Sequence, residues 1–178
     1  MTPAPDSLPA LLSSSRGAPY ALIVVALLVA LHLSRRLGPL FFVTAFPATL
    51  AHELAHLVIG LATNGRPSGL RLWPRRSARG YVLGSVTCAN VRWYNGLFIG
   101  LAPLALLPLA VLLLAWRIRQ HPTPVVVEAA WVYGIASLAL AALPSWQDLR
   151  IALASSWLLL TLAAAVAAWY FGFIPPPA

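Results

Sequence analysis

The sequence predicts an all-α polytopic membrane protein with about five transmembrane helices and a small β-hairpin in one loop. Of its 178 residues, 60% are hydrophobic and 9% are charged, whereas a soluble domain carries about a quarter charged residues. The mean hydropathy is +0.81. The apolar residues also occur in stretches close to the length that crosses a bilayer. We therefore expect one membrane-embedded domain over residues 1–178.

The apolar stretches lie at about 20–33, 40–62, 96–116, 125–143 and 149–173. Residues 1–18 are rich in proline and serine and are expected to be flexible, without the basic region and cleavage site of a signal peptide. The first stretch is shorter than the roughly 20 residues of a usual span, so tilt or bilayer thinning must compensate. Pro47 should kink the second helix.

The long polar stretch, residues 64–93, forms a basic loop between the second and third apolar stretches. Within it, Tyr81–Leu83 and Val86–Cys88 flank Gly84-Ser85, which predicts a β-hairpin on a two-residue turn. This hairpin is either a surface feature of the membrane face or an edge strand that pairs with an extended substrate. In the second case Val82 and Val86 are candidate substrate-binding residues.

All twelve basic residues are arginine, and the formal net charge is +8. Arginines in short loops orient membrane helices and attract anionic lipid, so the expected partner is the lipid bilayer and not nucleic acid. With the N-terminus in the cytoplasm, the cytoplasmic side carries eight arginines, namely Arg16, the six of the 64–93 loop and Arg150, and the opposite side carries four, namely Arg35, Arg36, Arg117 and Arg119. This excess favours a cytoplasmic N-terminus and a cytoplasmic 64–93 loop. The absence of lysine suggests a bacterial source and hence the bacterial plasma membrane. The single Cys88 excludes an intrachain disulfide and a thiol zinc cluster.

His52-Glu53-Leu54-Ala55-His56 lies inside the second apolar stretch. Two histidines four residues apart project from the same face of a helix, so both imidazoles can reach one metal ion. This spacing, with a glutamate after the first histidine, is typical of a zinc site with a built-in general base. Ionisable groups at membrane depth are costly and usually functional. The cytoplasmic end of the second helix is therefore the expected place of the site.

A catalytic zinc site usually has three protein ligands and one open position. The remaining candidates are Asp6, His32, His121, Glu128 and Asp148. Only Asp148 falls in a break on the side that His56 approaches, so the expected topology selects it. Asp148 can instead cap the fifth helix or pair with Arg150.

Three segments resemble the site-2 protease family of intramembrane zinc metalloproteases. His52–His56 is similar to the family's zinc-binding helix, Gly100–Pro103 to the glycine- and proline-containing region of its next core helix, and Pro144–Asp148 to the segment that supplies its third ligand. The resemblance covers roughly residues 40–165. The chain departs from the family pattern, since Leu149 follows the aspartate where glycine is common. No PDZ or CBS domain fits in this length.

The resemblance implies one Zn²⁺ per chain, held by His52, His56 and Asp148, with Glu53 as the general base. It implies hydrolysis of a peptide bond in a membrane-anchored protein substrate. Asn95, and less so Asn90, are candidate oxyanion donors, although turn or helix-cap chemistry is the preferred explanation for both. Two other functions remain open: a non-proteolytic scaffold or assembly subunit that retains the zinc site, and a small transporter with a histidine and aspartate relay.

Overall fold

The computed structural model describes residues 7–34, 39–73, 75–77, 80–82 and 84–173. Within these ranges the chain is mainly helical, with four short strands between the fourth and fifth helices. The elements are α1 (Leu8–Ser13), α2 (Gly17–Leu33), α3 (Pro39–Thr44), α4 (Phe46–Ala62), β1 (Pro67–Arg71), β2 (Arg75–Ser77), β3 (Gly80–Val82), β4 (Ser85–Cys88), α5 (Gly96–Leu101), a 3-10 turn (Ala102–Ala105), α6 (Leu106–Arg119), α7 (Val125–Ala141) and α8 (Trp146–Phe173).

Only part of the predicted membrane topology is confirmed. Among the described residues, one helical segment, Gly96–Arg119, is long and apolar enough to cross a bilayer. Val125–Ala141 and Trp146–Leu158 would make a second span if this pair, bent by 45°, crosses as one unit. The other apolar helices are shorter, namely Gly17–Leu33, Phe46–Ala62 and Leu160–Gly172. Length and composition therefore support one or two spans, and five are not confirmed.

Helix α7 lies at the centre of the bundle and contacts α2, α4 and α6. The hydroxyl of Tyr133 donates to the carbonyl oxygen of Thr44 at 2.6 Å, and Nδ1 of His52 lies 2.8 Å from the carbonyl oxygen of Ala141. His52 follows Thr44 by eight residues, and Ala141 follows Tyr133 by eight residues. The two segments therefore advance together, and α4 and α7 run in the same direction. The C-terminal end of α7 is thereby placed beside the His-Glu turn.

The N-terminal part of the chain differs from the prediction. Residues 8–13, which were expected to be flexible, form α1, which packs on α2 and α6. The Arg16 guanidinium donates to the carbonyl oxygens of Ile118 and Gln120. The start of α2 therefore lies at the same end of the bundle as the loop after α6, and the prediction of opposite faces was wrong. Carbonyls at a helix C-terminus lack intrahelical partners, which explains their attraction for Arg16.

A buried ion pair closes this same end of the bundle. Arg117 is 1% exposed, and its guanidinium donates to the Glu128 carboxylate and to the Thr123 hydroxyl. Glu128 also accepts from the backbone N–H of Thr123 at 2.9 Å. Glu128 is thus a structural partner that joins α6 to α7.

The strands of the 64–93 loop do not pair as predicted. Instead of a hairpin that turns at Gly84-Ser85, β1 pairs with β4 and β2 pairs with β3, both antiparallel. Val82 pairs with Arg75, and Val86 pairs with Leu70. Local turn chemistry suggested the wrong partner, because a single glycine fits a turn and a close approach to a helix equally well. Leu83, part of the expected hairpin, lies outside the described residues.

Candidate metal centre

Three side chains from two helices meet in one cluster of potential metal ligands. His52 and His56 come from α4, and Asp148 comes from the first turn of α8. The two Nε2 atoms lie 3.2 Å apart. Nε2 of His52 is 3.3 Å from Oδ2 of Asp148, and Nε2 of His56 is 3.2 Å from Oδ1. The structure therefore brings the predicted aspartate into contact with the predicted histidine pair.

The protein backbone orients both imidazoles. Nδ1 of His52 lies 2.8 Å from the carbonyl oxygen of Ala141, and Nδ1 of His56 lies 2.8 Å from that of Ile99. Because a carbonyl can only accept, each Nδ1 carries a hydrogen, and in the neutral ring each Nε2 then has the lone pair that a metal ion requires. Such hydrogen bonds fix the tautomer and the ring orientation of metal-binding histidines.

The start of α8 orients the Asp148 carboxylate. The backbone N–H of Ser145 donates to Oδ2 of Asp148 at 2.6 Å, and the hydroxyl of Ser145 accepts from the Asp148 N–H at 3.2 Å. This reciprocal pair is a capping box with aspartate in the place of glutamate. The Asp148 carboxylate therefore caps α8 and at the same time faces the two histidines.

Glycines on α5 allow α8 to come close enough to deliver Asp148. A Cβ on Gly100 would lie 2.5 Å from the backbone oxygen of Asp148 and 2.8 Å from the backbone nitrogen of Ala152. A Cβ on Gly96 would lie 2.3 Å from the hydroxyl oxygen of Ser155. Small residues four apart let two helix backbones approach closely, and here they bring α8 against α5.

Glu53 lies beside the ligands but on a different face of α4. Glu53 is 6% exposed, and the backbone N–H of Val86 faces its carboxylate. Gly84 is so near that a Cβ there would lie 2.8 Å from both Cγ and Oε1 of Glu53. The loop strand β4 therefore packs directly on the predicted general base.

The donor set fits a zinc ion. With the bond lengths of about 2.0–2.1 Å usual for zinc and nitrogen, ligands at tetrahedral positions are about 3.3 Å apart. The two Nε2 atoms are 3.2 Å apart, and each lies 3.2 to 3.3 Å from its nearer oxygen of Asp148, Oδ2 for His52 and Oδ1 for His56. Two neutral imidazoles and one carboxylate are also the donors of a known type of catalytic zinc site. A fourth position would stay open for water or substrate.

Among the described residues, the remaining candidates do not join this cluster, and Asp6 lies outside the described residues. Asn95 is 0% exposed, and its amide nitrogen donates to the carbonyl oxygens of Thr63 and Asn90 at 3.1 and 2.9 Å. Both amide hydrogens are thus used within the protein, which favours the turn role over oxyanion binding. Asn90 likewise donates to the carbonyl oxygen of Asn64. His32 and His121 are exposed.

Sequence reasoning missed the residues that support the ligands. Ser145 stands three residues before Asp148, which is the spacing of a capping box, so this signal was present. Gly96 and Gly100 show the four-residue spacing of close helix contacts. Gly84 carried no such signal, because only the fold brings it to Glu53.

We compared the chain with protein-family models, with curated proteins and with solved structures, and none of the three comparisons returned a match.

Proposed function

We propose that this chain is a zinc-dependent intramembrane endopeptidase that hydrolyses a peptide bond of a membrane-anchored protein. The supporting observation is the union of a zinc-compatible His52, His56 and Asp148 triangle with a buried Glu53 one residue from a ligand. A site that only holds a metal has no use for an unliganded carboxylate beside it. A general base has that use, because it must lie within reach of a water and of the leaving amine.

The apolar surface supports a membrane location with several spans. Large apolar side chains are exposed on several helices, for example Val58 at 59%, Leu112 at 66% and Leu153 at 64%. The most apolar window of Gly96–Arg119 is only 28% buried inside the protein. Soluble proteins rarely expose continuous apolar surface of this kind, whereas a bilayer covers it. We propose that the shorter apolar helices also lie in the bilayer, with tilt or local thinning.

The distribution of arginine supports an orientation. The end of the bundle near the metal centre carries Arg150 and the arginines of the 64–93 loop, whereas the opposite end carries Arg16, Arg117 and Arg119. The excess of arginine marks the cytoplasmic side. We therefore propose that the zinc site opens toward the cytoplasm of a bacterial plasma membrane and that the start of α2 faces the other side.

The residues divide the chemical work. His52, His56 and Asp148 would hold zinc, which when bound supplies electrophilic assistance to a carbonyl and acidifies a water. Glu53 accepts a proton from the attacking water and returns it to the leaving amine. We propose that the backbone of β4, which lies next to Glu53, pairs with an extended substrate segment.

The test compares wild-type protein with Glu53→Gln, which keeps the side-chain volume and loses the base. Each is purified in detergent, assayed for zinc and mixed with a single-span reporter whose helix contains destabilising glycines. We expect about one zinc per chain in both proteins and fragments only from wild type, a loss of at least about 100-fold in rate. Fragments of equal yield from both would contradict the proposal. Zinc in both with fragments from neither would favour the scaffold function.

A further inference from the structure

Strand β4 lies lengthwise along α4. Gly84, just before the strand, contacts Thr49 and Glu53, and Cys88 at its end lies against Gly60. On the helix axis, Thr49 and Glu53 are about 16 and 10 Å from Gly60. Gly84 to Cys88 in extended conformation spans about 13 Å. These lengths agree, so β4 follows the one helix face that carries Thr49, Glu53 and Gly60.

The contact covers Glu53 closely. A Cβ on Gly84 would come within 2.8 Å of the Glu53 side chain and 2.9 Å of Cγ2 of Thr49. The backbone N–H of Val86 also faces the Glu53 carboxylate. The position next to the base that a substrate backbone needs during hydrolysis is therefore taken by the backbone of the chain itself.

Apart from α4, the helix that it covers, β4 is attached mainly to β1. Its partner in the described residues is β1 alone, in a two-stranded sheet whose register is broken between Pro67 and Gly69. An isolated pair of strands is marginally stable. Gly69 also faces open space, because a Cβ there would meet nothing within 4 Å. β1 also contacts α4, so the two strands would lift from that helix together. Neither strand contributes a residue to the apolar core of the bundle.

We propose that Gly84–Cys88, here named the β4 cover, is autoinhibitory and must lift from α4 before a substrate reaches Glu53. The inference rests on the proposed function for what the opening admits. In the closed form Gly84 lies against the side chains of Glu53 and Thr49. In the open form that side of Glu53 becomes accessible to the incoming backbone.

The single cysteine allows the cover to be locked. A Cβ on residue 60 would lie 3.1 Å from Sγ of Cys88, and in a disulfide each Cβ is about 3 Å from the far sulfur. Gly60→Cys should therefore form a disulfide with Cys88 on oxidation with diamide, which takes up the two thiol hydrogens and does not bind zinc. Gly60→Cys combined with Cys88→Ser is the matched control, since it cannot form this bond.

Two measurements follow on the oxidised and the reduced forms of Gly60→Cys. The first is the labelling rate of Glu53 by an apolar carbodiimide, read by mass spectrometry, which needs neither zinc nor cleavage. The second is cleavage of the single-span reporter. We expect oxidation to slow both about tenfold or more, since locking removes a minor open state, and dithiothreitol to restore both. The control should not respond to diamide.

Equal labelling of Glu53 in the oxidised and reduced forms would overturn the proposal, whatever the cleavage rates are. If labelling responds to the lock while no form cleaves the reporter, the cover stands and the proposed protease function fails. If cleavage responds and labelling does not, the disulfide acts elsewhere and the cover is refuted.

Discussion

Replacement of Gly100 by alanine should remove zinc from the site without contacting any ligand side chain. The new Cβ would lie 2.5 Å from the backbone oxygen of Asp148, whereas ordinary contacts begin at about 3.4 Å. The two helices must therefore separate by about 0.9 Å at this point. Backbone atoms form the obstacle, so no change of side-chain rotamer can relieve the contact.

The required shift acts directly on the metal geometry. Helix α5 cannot retreat freely, because the carbonyl oxygen of Ile99 holds Nδ1 of His56. The movement therefore falls on α8 and displaces Asp148 from the histidines. Ligand distances in metal sites are kept within about 0.2 Å, so a displacement several times larger should break the bond. We expect zinc affinity to fall at least about 100-fold, and cleavage to fall by at least the same factor.

Gly134→Ala is the matched control, since a Cβ there would meet nothing within 4 Å. Both variants should be titrated with zinc in detergent, and their helicity and unfolding temperature measured, to separate loss of the site from loss of the fold. A folded Gly100→Ala protein with wild-type zinc affinity would refute the reasoning that close α5 and α8 packing positions Asp148.

Three further predictions concern residues around the centre. Ser145→Ala should lower stability by about 1 kcal/mol through loss of the cap and weaken zinc binding about tenfold; an unchanged zinc titration beside exposed Ser13→Ala would argue against the capping box as a support. Asn95→Ala leaves backbone groups unpaired and should destabilise the fold by about 1–3 kcal/mol, while the folded protein keeps its cleavage rate; a selective loss of rate at normal stability would restore the oxyanion role. Burial raises the pKa of the Cys88 thiol, so less thiolate is present at a given pH. Alkylation by iodoacetamide should therefore require a higher pH than it does for free cysteine. A pH profile like that of free cysteine would show that the thiol is not covered.

The ligand side chains were predictable from sequence because their signals are local or follow from chain topology. The spacing of His52 and His56 fixes a shared helix face, and a helix of that composition changes little with its surroundings. Asp148 was selected by the side of the bundle on which its loop falls. That selection needed only the relative direction of α4 and α7, which the contacts at Thr44 and Ala141 bear out.

The loop strands and the N-terminal end were not predictable, because long-range contacts decide them. β4 selects β1, about 15 residues earlier, over the adjacent β3, and local patterns do not contain that choice. Arg16 was counted as a topological charge on one face, but its partners are carbonyl oxygens about a hundred residues away. Counting arginines to predict membrane topology assumes that each one is solvated. The count gives the wrong side for Arg16, because its guanidinium binds carbonyl oxygens at the end of a distant helix.

Asp148 shows why two explanations that compete in the sequence are compatible in the structure. From the sequence alone, helix capping and metal binding were alternative explanations for Asp148. Here Oδ2 accepts the Ser145 N–H at 2.6 Å while it lies 3.3 Å from Nε2 of His52, and Oδ1 faces His56. The cap fixes the rotamer, and the fixed rotamer leaves lone pairs of both oxygens directed at the histidines. A chain with Ser145 at this position can therefore orient the third ligand without the glycine that commonly follows it in the site-2 protease pattern. The cap is thus a reason to expect a metal ligand at Asp148.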